Sequence, residues 1–298
     1  MTWMSIFAEQ LVNGLVLGCV YATFAFGFGL VIASLGVFNV AHEAVFTTGA
    51  VAAYLVVLYI GPMPLWLLVL VAAAAAAVVN SIVYLLLVRP LEGRRNHEMA
   101  TFLSCIGGMF VLTEIVRLIL DNHEVRFPAA IEGGIKVFGL HINNRQVVMV
   151  LTSLAAFAVV YLVIERTQLG RAIRATSYDA EAATLQGINP SLTALIVFAL
   201  SGALAGVAAA VIGAAYNVVD AEMGSSYFLI AMAVMVLGGF GNTLGTLIAG
   251  LVIGCVSTIS TGFLTTGYRD VIVFGALLLV LSVRSEGLFP TRSARVRA

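Results

Sequence analysis

The sequence predicts an all-α protein, a polytopic bundle of about nine transmembrane helices. Of the 298 residues, 61% are apolar and only 10% are charged, whereas a soluble domain has about 25% charged and about 45–50% apolar residues. One soluble core of this size cannot bury such an excess of apolar side chains, so lipid is the natural solvent for them. Since no stretch has the composition of a soluble domain, residues 1–298 are expected to form a single transmembrane domain.

Nine apolar runs are long enough, or nearly long enough, to cross a bilayer. A hydrocarbon core of about 30 Å needs roughly 20 helical residues. The runs cover about residues 11–34, 38–60, 64–88, 99–120, 147–164, 191–216, 226–240, 243–261 and 269–284. The fifth and seventh are short, and two or three could be discontinuous, so the expected count is eight to ten.

Arginine residues between the runs predict the orientation of the chain. Loops 89–98 and 165–190 and the tail 284–298 are rich in arginine and are separated by even numbers of runs, so all three are expected to be cytoplasmic. Loops 121–146 and 217–225 then lie outside. With nine spans, the N-terminus is external and the C-terminus is cytoplasmic. Two short apolar runs on either side of Gly139 predict a small hairpin in the external loop 121–146.

Several kinds of chemistry are excluded by the residues themselves. A phosphate-binding loop of the Walker A type needs a lysine before Ser or Thr, but the only lysine, Lys136, precedes Val137. The three cysteines are scattered, and no cluster has metal-ligand spacing. The net charge is zero, with no polybasic segment for nucleic acid. Neither a metal nor a cofactor is expected.

Three polar residues, Asn39, His42 and Glu43, stand at the start of the apolar run that ends near Tyr59. Polar and ionisable groups at membrane depth are costly, and they usually face a cavity or a partner. Flanking glycines would permit a broken helix there. The segment therefore either lines a solute pathway or forms a loop at the membrane surface.

A second glycine-rich turn contains Gly238, Gly239 and Asn242. The run 237–242 faintly repeats the run 35–39, and each is followed by a span rich in small residues. Transporters are often built from repeats with discontinuous helices near the midplane. Small residues also serve ordinary helix packing in membranes, so both interpretations of this turn stay open.

Two further sets of charges lie within or beside the apolar runs. Glu114 and Arg117 are three residues apart, so they share a helix face and are expected to pair as a structural lock. Arg269 and Asp270 stand at the end of a span, where long side chains can extend to the membrane surface.

The loop 166–190 predicts a short cytoplasmic helix between two spans. Ser177 is expected to cap a helix that continues to about Gln186, with acidic residues in its first turn complementing the helix dipole. Gly187 and Pro190 then end the helix. Such a helix is either a lever that transmits motion from a soluble partner or a plain amphipathic surface helix.

Together these segments resemble the branched-chain amino-acid ABC permeases of the LivH/LivM family, and the LivH half more closely. The resemblance rests on the segments 13–22, 39–42, 170–175, 185–189, 237–245 and 268–270, and covers nearly the whole chain. It implies a substrate pathway and a contact with ATPase subunits. The implied pathway residues are Asn39, His42, Glu43, Gly238, Gly239 and Asn242. The implied coupling residues are Gly170, Arg171, Arg174, Asp179, Glu181, Ala183, Gly187 and Asn189.

The resemblance also implies a division of labour in a bacterial inner membrane. The chain would pair with a second, homologous permease chain, with two cytoplasmic ATPase subunits and with a periplasmic substrate-binding protein. The family usually has glycine where this chain has Glu43, which leaves urea, short amides and aromatic acids as alternative solutes. The alternative class is an ion- or proton-coupled secondary transporter, with His42, Glu43 and Glu114 as candidate relay groups.

Overall fold

The computed structural model describes residues 3–94, 96–127, 133–137, 140–263, 269–284 and 289. Within those ranges the chain forms helices and one small hairpin. The elements are α1 (Trp3–Leu35), α2 (His42–Ile60), α3 (Leu65–Val83), α4 (His97–Ile119), β1 (Gly134–Val137), β2 (Leu140–Asn143), α5 (Asn144–Arg166), α6 (Gln168–Tyr178), α7 (Ala180–Leu185), α8 (Pro190–Tyr216), α9 (Met223–Gly238), α10 (Thr243–Phe263) and α11 (Arg269–Val283). A π turn and a 3-10 turn extend α3 to Leu91.

Seven of these helices are long and apolar enough to cross a membrane: α1, α2, α3 with its extension, α4, α5, α8 and α10. Two shorter apolar helices, α9 and α11, match the remaining two predicted runs. The polytopic helical bundle is therefore confirmed. α6 and α7 are the helices of the predicted cytoplasmic loop.

Helices α1 and α8 form the centre of the bundle. In the most apolar stretch of each helix, 83% of the α1 residues and 72% of the α8 residues are buried, against 17% for α4 and 22% for α5. The central helices can approach closely because glycines face their neighbours. A Cβ atom on Gly18 would overlap the backbone of Gly250 and Leu251, and one on Gly206 would overlap the backbone of Ala72. Close backbone approach at small residues is the usual basis of helix packing in lipid.

The predicted external hairpin is present. β1 and β2 are antiparallel, with Gly134 opposite Asn143 and Val137 opposite Leu140; Gly139 itself lies outside the described residues. Asn143 then begins α5 through a reciprocal capping box with Gln146. A single β-bridge joins Val125 to Val219, so the two loops that were predicted to be external lie at the same end of the bundle.

Candidate functional site

The chain turns back into the bundle between α1 and α2. α1 ends at Leu35, and Gly36 takes a positive φ of 69°, a conformation that glycine adopts without steric cost. When α2 begins, the ring of His42 stacks between Phe24 and Phe28 of α1, with centroid distances of 5.0 and 5.8 Å. The first turn of α2 therefore lies well inside the bundle and not beside the end of α1. The predicted break is present.

A chain of amide hydrogen bonds fixes this break to two neighbouring helices. Asn39 and Asn80 are both completely buried. The Asn39 Nδ2 donates to Asn80 Oδ1 over 3.0 Å, and Asn80 Nδ2 donates to the Phe198 carbonyl over 2.7 Å. The re-entrant segment is thus joined through α3 to α8. Asn80 directly follows the alanine-rich run 72–77 and two valines, and an amide within so apolar a span is the sequence signal that could have added it to the site.

His42 makes the second polar link between α2 and α8. Its Nδ1 lies 3.3 Å from the Ser201 hydroxyl. Among the described residues, however, neither His42 Nε2 nor Asn39 Oδ1 makes a hydrogen bond of ordinary geometry. Two buried polar atoms of the re-entrant segment therefore have unused hydrogen-bonding capacity.

Glu43 differs from Asn39 and His42 because its side chain is partly exposed. It stands in the first turn of α2, where an acidic group complements the helix dipole. The first turn of α9 lies against the same turn of α2. The Gly224 amide donates to Thr47 Oγ1 over 3.1 Å, and a Cβ on Gly224 would overlap the Glu43 carbonyl. Both α2 and α9 therefore begin inside the bundle, next to each other.

The predicted pathway residues separate into two places. The side chains of Asn39 and His42 are completely buried, whereas the Glu43 side chain is partly exposed. Gly238, Gly239 and Asn242 form the turn between α9 and α10. There Asn242 Oδ1 accepts a hydrogen bond from the Gly245 amide over 2.9 Å. That all six line a solute pathway stays a prediction.

The turn between α9 and α10 and the predicted coupling segment both contact Ala33, at the end of α1. A Cβ on Gly241 would lie 3.1 Å from the Ala33 side chain. On its other side, the Ser177 hydroxyl donates to the Ala33 carbonyl over 3.1 Å. The end of α1 thus touches both the α9–α10 turn and α6. The re-entrant segment follows this end of α1 directly in the chain.

The predicted helix of loop 166–190 corresponds to α7, and a second helix that was not predicted, α6, precedes it. The prediction that Ser177 caps the helix is wrong, since Ser177 lies within α6 and bonds to α1 instead. The break falls at Asp179, whose Oδ1 accepts from the amides of Glu181 and Ala182, both over 2.9 Å. An aspartate is as good a cap as a serine, and Asp179 can cap only if the helix is interrupted there.

Gly170 and Arg174 hold a tight elbow between α5 and α6. A Cβ on Gly170 would overlap the Ile164 backbone. The Arg174 guanidinium donates to the Ile164 carbonyl over 2.8 Å and lies 3.9 Å from the Glu165 carboxylate. Thr167 caps α6 by accepting from the Gly170 amide. These two predicted coupling residues therefore fix α6 to the end of α5.

The helix α7 ends just before Gly187, as the sequence predicted. Gly187, with a φ of +81°, stands at the C′ position of a Schellman turn in which the Ile188 amide bonds to the Ala183 carbonyl. Asn189 then caps α8 by accepting from the Leu192 amide over 3.2 Å. Ala183 is only 4% exposed, so an arginine at that position would test the packing of α7 and not a surface contact.

Two residues that the sequence analysis missed dominate the surface of α6 and α7. Tyr178 is 81% exposed and Leu185 is 88% exposed. Arg171 and Glu181 are exposed beside them. A signal was available, because large apolar side chains are unusual in a segment outside the bilayer. Exposed apolar side chains of this size are typical of surfaces that contact another protein or the membrane.

The predicted pairing of Glu114 with Arg117 is present, but the predicted orientation of Arg269 is not. Arg117 pairs with Glu114 over 3.0 Å, as predicted, and also reaches Glu222 over 2.6 Å. Arg269, predicted to extend towards the membrane surface, instead turns inward. Its Nε donates to Ser257 Oγ over 2.7 Å, and an Nη donates to the Tyr21 hydroxyl. The prediction failed because the spacing of charges along one span carries no information on polar groups of its neighbours.

The architecture described above defines a polytopic membrane protein with two re-entrant breaks and a paired-helix surface at one end. Comparisons with known proteins agree. Residues 10–282 match the family described as the permease component of the branched-chain amino acid transport system. The chain is 30% identical over 294 residues to LivH of Escherichia coli, a high-affinity branched-chain amino acid transport system permease protein, with 95% of each chain covered.

Two further comparisons are informative. The chain is 32% identical over 295 residues to BraD of Pseudomonas aeruginosa, again with 95% of each chain covered. A solved structure titled as an inward-facing conformation of a putative metal-chelate type ABC transporter covers 91% of the chain with a TM-score of 0.50 at 13% identity. That likeness concerns the fold alone. The chain belongs to the family of branched-chain amino acid transport system permease components.

Proposed function

We propose that this chain is a membrane-spanning subunit of an ATP-driven, binding-protein-dependent importer that carries branched-chain amino acids across a bacterial inner membrane. The observation that carries the proposal is family membership over residues 10–282. The relatives that share 30–32% identity over nearly their whole length are named for branched-chain amino acid transport. The remaining parts of the importer are a second, homologous permease chain, two cytoplasmic ATPase subunits and a periplasmic substrate-binding protein.

The surface of α6 and α7 supports an ATPase contact on the cytoplasmic face. It presents Tyr178 and Leu185, both more than four-fifths exposed; α6 rests on the ends of α5 and α1, and α7 rests on α8. Aromatic and large aliphatic side chains commonly anchor protein interfaces. Motion of a partner at this surface would pass through the Ser177–Ala33 hydrogen bond to the end of α1. It would reach the re-entrant segment with Asn39 and His42 a few residues later.

The proposed ATPase contact also implies an orientation of the chain in the membrane. The α6–α7 surface is cytoplasmic if it receives the ATPases, and the loops joined by Val125 and Val219 are then external. The C-terminal tail is cytoplasmic in the same arrangement, in agreement with its arginines.

The alternative, a proton-coupled secondary transporter, is favoured by the incompletely bonded His42 and by the adjacent, partly exposed Glu43. The third candidate relay group, Glu114, is half-exposed and forms an ion pair with Arg117, which is the arrangement expected of a structural lock.

The test is uptake of radiolabelled leucine into proteoliposomes that contain the complete transporter, with the binding protein outside and ATP at the ATPase face. We expect uptake that requires ATP and the binding protein and that is unaffected by a protonophore. Uptake without ATP that collapses with the protonophore would instead establish the secondary transporter. Uptake of urea or an aromatic acid, with none of leucine, would correct the substrate.

A further inference from the structure

A groove opens between α2 and α4 at the end of the bundle that carries the Val125–Val219 bridge. Its volume is about 480 Å³, within the range of about 300–1,000 Å³ that is typical of small-molecule sites. Val125 lines the groove, and no residue of the predicted solute pathway or coupling segment does. The other apolar and aromatic walls are Tyr54, Leu55, Leu58 and Tyr59 of α2 and Ile119 and Leu120 at the end of α4.

The groove is open to its surroundings and lies at the boundary of the membrane. Leu58 and Ile119 are both exposed, so the described part of the chain leaves these walls uncovered. Tyr59, at the end of α2, is 81% exposed, and Trp66, in the first turn of α3, is 63% exposed. Exposed Tyr and Trp at the ends of spans typically lie at the level of the lipid headgroups. Tyr54 lies roughly 7 Å deeper than Tyr59, given 1.5 Å of rise per residue. The groove therefore leads from the headgroups into the hydrocarbon.

Asp121 is the charged residue of the groove lining. It directly follows the end of α4, where Asp121 and Asn122 take positive φ values of 51° and 58°, a conformation that Asp and Asn adopt more readily than other non-glycine residues. The Asp121 side chain is exposed, and within the described ranges its carboxylate forms no ion pair. An unpaired carboxylate thus stands beside walls that are otherwise uncharged.

The charges around the groove favour a cation. The segments 114–127 and 217–223, which meet at the Val125–Val219 bridge, contain five acidic residues and two arginines. One arginine, Arg117, is already paired with Glu114 and Glu222, and the other, Arg126, is exposed. A surface with an excess of one charge attracts ligands of the opposite charge and repels those of the same charge. The five acids are Glu114, Asp121, Glu124, Asp220 and Glu222.

These properties together match a phospholipid. A groove that runs from headgroup level into the hydrocarbon fits an acyl chain, but lipid tails are as apolar as the leucines that line it, so the tail gains little by entering. Selectivity must therefore come from the headgroup. A carboxylate and the faces of tyrosine rings both attract an ammonium group.

We propose that a phospholipid with a primary-ammonium headgroup binds in this groove. One acyl chain lies between α2 and α4, and the ammonium group contacts the Asp121 carboxylate beside Tyr59. Bound in this way, the lipid links the end of α2 to the end of α4. The site goes beyond the proposed function, and it does not depend on which solute the transporter carries.

The first test uses the wild-type chain and therefore does not depend on the folding of a variant. The complete transporter, without the binding protein, is placed in an equimolar mixture of phosphatidylethanolamine and phosphatidylglycerol that contains a trace of one lipid with a diazirine in an acyl chain. After illumination we expect adducts on residues 54–59 and 119–125, about fivefold more from the phosphatidylethanolamine probe, the order expected for one charge at a membrane surface. The exposed face of α5, at Leu151 and Val159, should react equally with both probes.

The second test removes the charge of Asp121. Asp121→Asn keeps a residue that tolerates positive φ, and it should lower the ratio of the two probes in the groove from about fivefold to about one, because the charge that selects the headgroup is gone. Glu124→Gln is the matched control, since Glu124 is an exposed acid of the same loop but does not line the groove. This control should keep the wild-type ratio.

Several results would overturn the proposal. Equal labelling of the wild-type groove by the two probes, or a ratio that Asp121→Asn leaves unchanged, would refute the ammonium site. Labelling of α5 without labelling of residues 54–59 and 119–125 would show that a partner chain covers the groove. Adducts that disappear with excess leucine would assign the groove to the solute. An equal fall of the ratio in Glu124→Gln and Asp121→Asn would assign the preference to the overall charge of the loop and not to Asp121.

Discussion

Replacing Asn80 with alanine should measure how strongly the re-entrant segment is held. Asn80 is completely buried and makes two hydrogen bonds at once, accepting from Asn39 and donating to the Phe198 carbonyl. Asn80→Ala removes the hydrogen bonds to Asn39 and to the Phe198 carbonyl without adding bulk. The Asn39 amide and the Phe198 carbonyl would each be left without their present partner in the interior of the bundle.

The size of the effect can be bounded from these contacts. An orphaned buried polar group costs about 1–3 kcal/mol in soluble proteins. Side-chain hydrogen bonds between membrane helices average roughly 0.6 kcal/mol, with a maximum near 1.7 kcal/mol. For two bonds we expect the free energy of unfolding to fall by about 1–3 kcal/mol. Because either variant loses the same Asn39–Asn80 hydrogen bond, Asn39→Ala and Asn80→Ala should be non-additive by about 0.5–1.5 kcal/mol.

The assay is equilibrium unfolding of the purified permease in mixed micelles, as a full double-mutant cycle. Ser81→Ala is the matched control on the same helix, since its hydroxyl bonds only to the Ala77 carbonyl one turn earlier. The control should lie close to wild type. If Asn80→Ala unfolds like Ser81→Ala, or if the Asn39 and Asn80 effects simply add, the hydrogen-bonded link is not what holds the break.

Three further predictions concern packing, orientation and backbone conformation. Gly206→Ala should destabilise the permease by about 1–3 kcal/mol through overlap with α3, whereas Gly107→Ala, with open space around it, should not; equal unfolding curves would contradict the packing. In a cysteine-free background, Glu124→Cys and Ala182→Cys should react with an impermeant thiol reagent from opposite sides of the membrane, and labelling of both from one side would refute the orientation. Gly187→Asn should unfold closer to wild type than Gly187→Val, because asparagine tolerates positive φ better than a β-branched residue; the reverse order would show that φ at this turn does not matter.

The helical spans were predictable because lipid imposes a simple requirement on sequence. A spanning helix must satisfy all its backbone hydrogen bonds internally and be apolar over its length, and both properties can be read locally. All nine predicted runs correspond to helices. The short helix α9 begins inside the bundle, and the seventh predicted run is correspondingly short.

Partners across the bundle were not predictable from local pattern. The sequence identified Asn39 and His42 as unusual, but it could not indicate that they bond to Asn80 and Ser201. Arg269 was misjudged for the same reason, since its partners come from α1 and α10. Long-range pairing depends on which helix faces meet, and in this bundle glycine contacts on several helices decide that together.

In the predicted coupling segment, residues 166–190, two equally good capping residues made the start of the helix hard to predict. Ser177 and Asp179 are both favourable caps two residues apart, and the sequence alone gave no reason to prefer the second. What decides is the Ser177 hydrogen bond to Ala33, which keeps Ser177 inside α6. The exposure of Leu185 and the burial of Ala183 likewise depend on which face of α7 rests on α8.

The most direct test of the central claim, that ATP energy enters through α6 and α7, is ATP-driven leucine uptake by a Leu185→Arg transporter beside a Leu185→Met control. Leu185 is 88% exposed, so neither change should alter insertion or unfolding of the permease itself. We expect Leu185→Arg to lower uptake by about tenfold or to release the ATPases, as charge at an apolar anchor of an interface does, and Leu185→Met to resemble wild type. Normal ATP-driven uptake by Leu185→Arg, with its ATPases bound, would show that energy enters elsewhere.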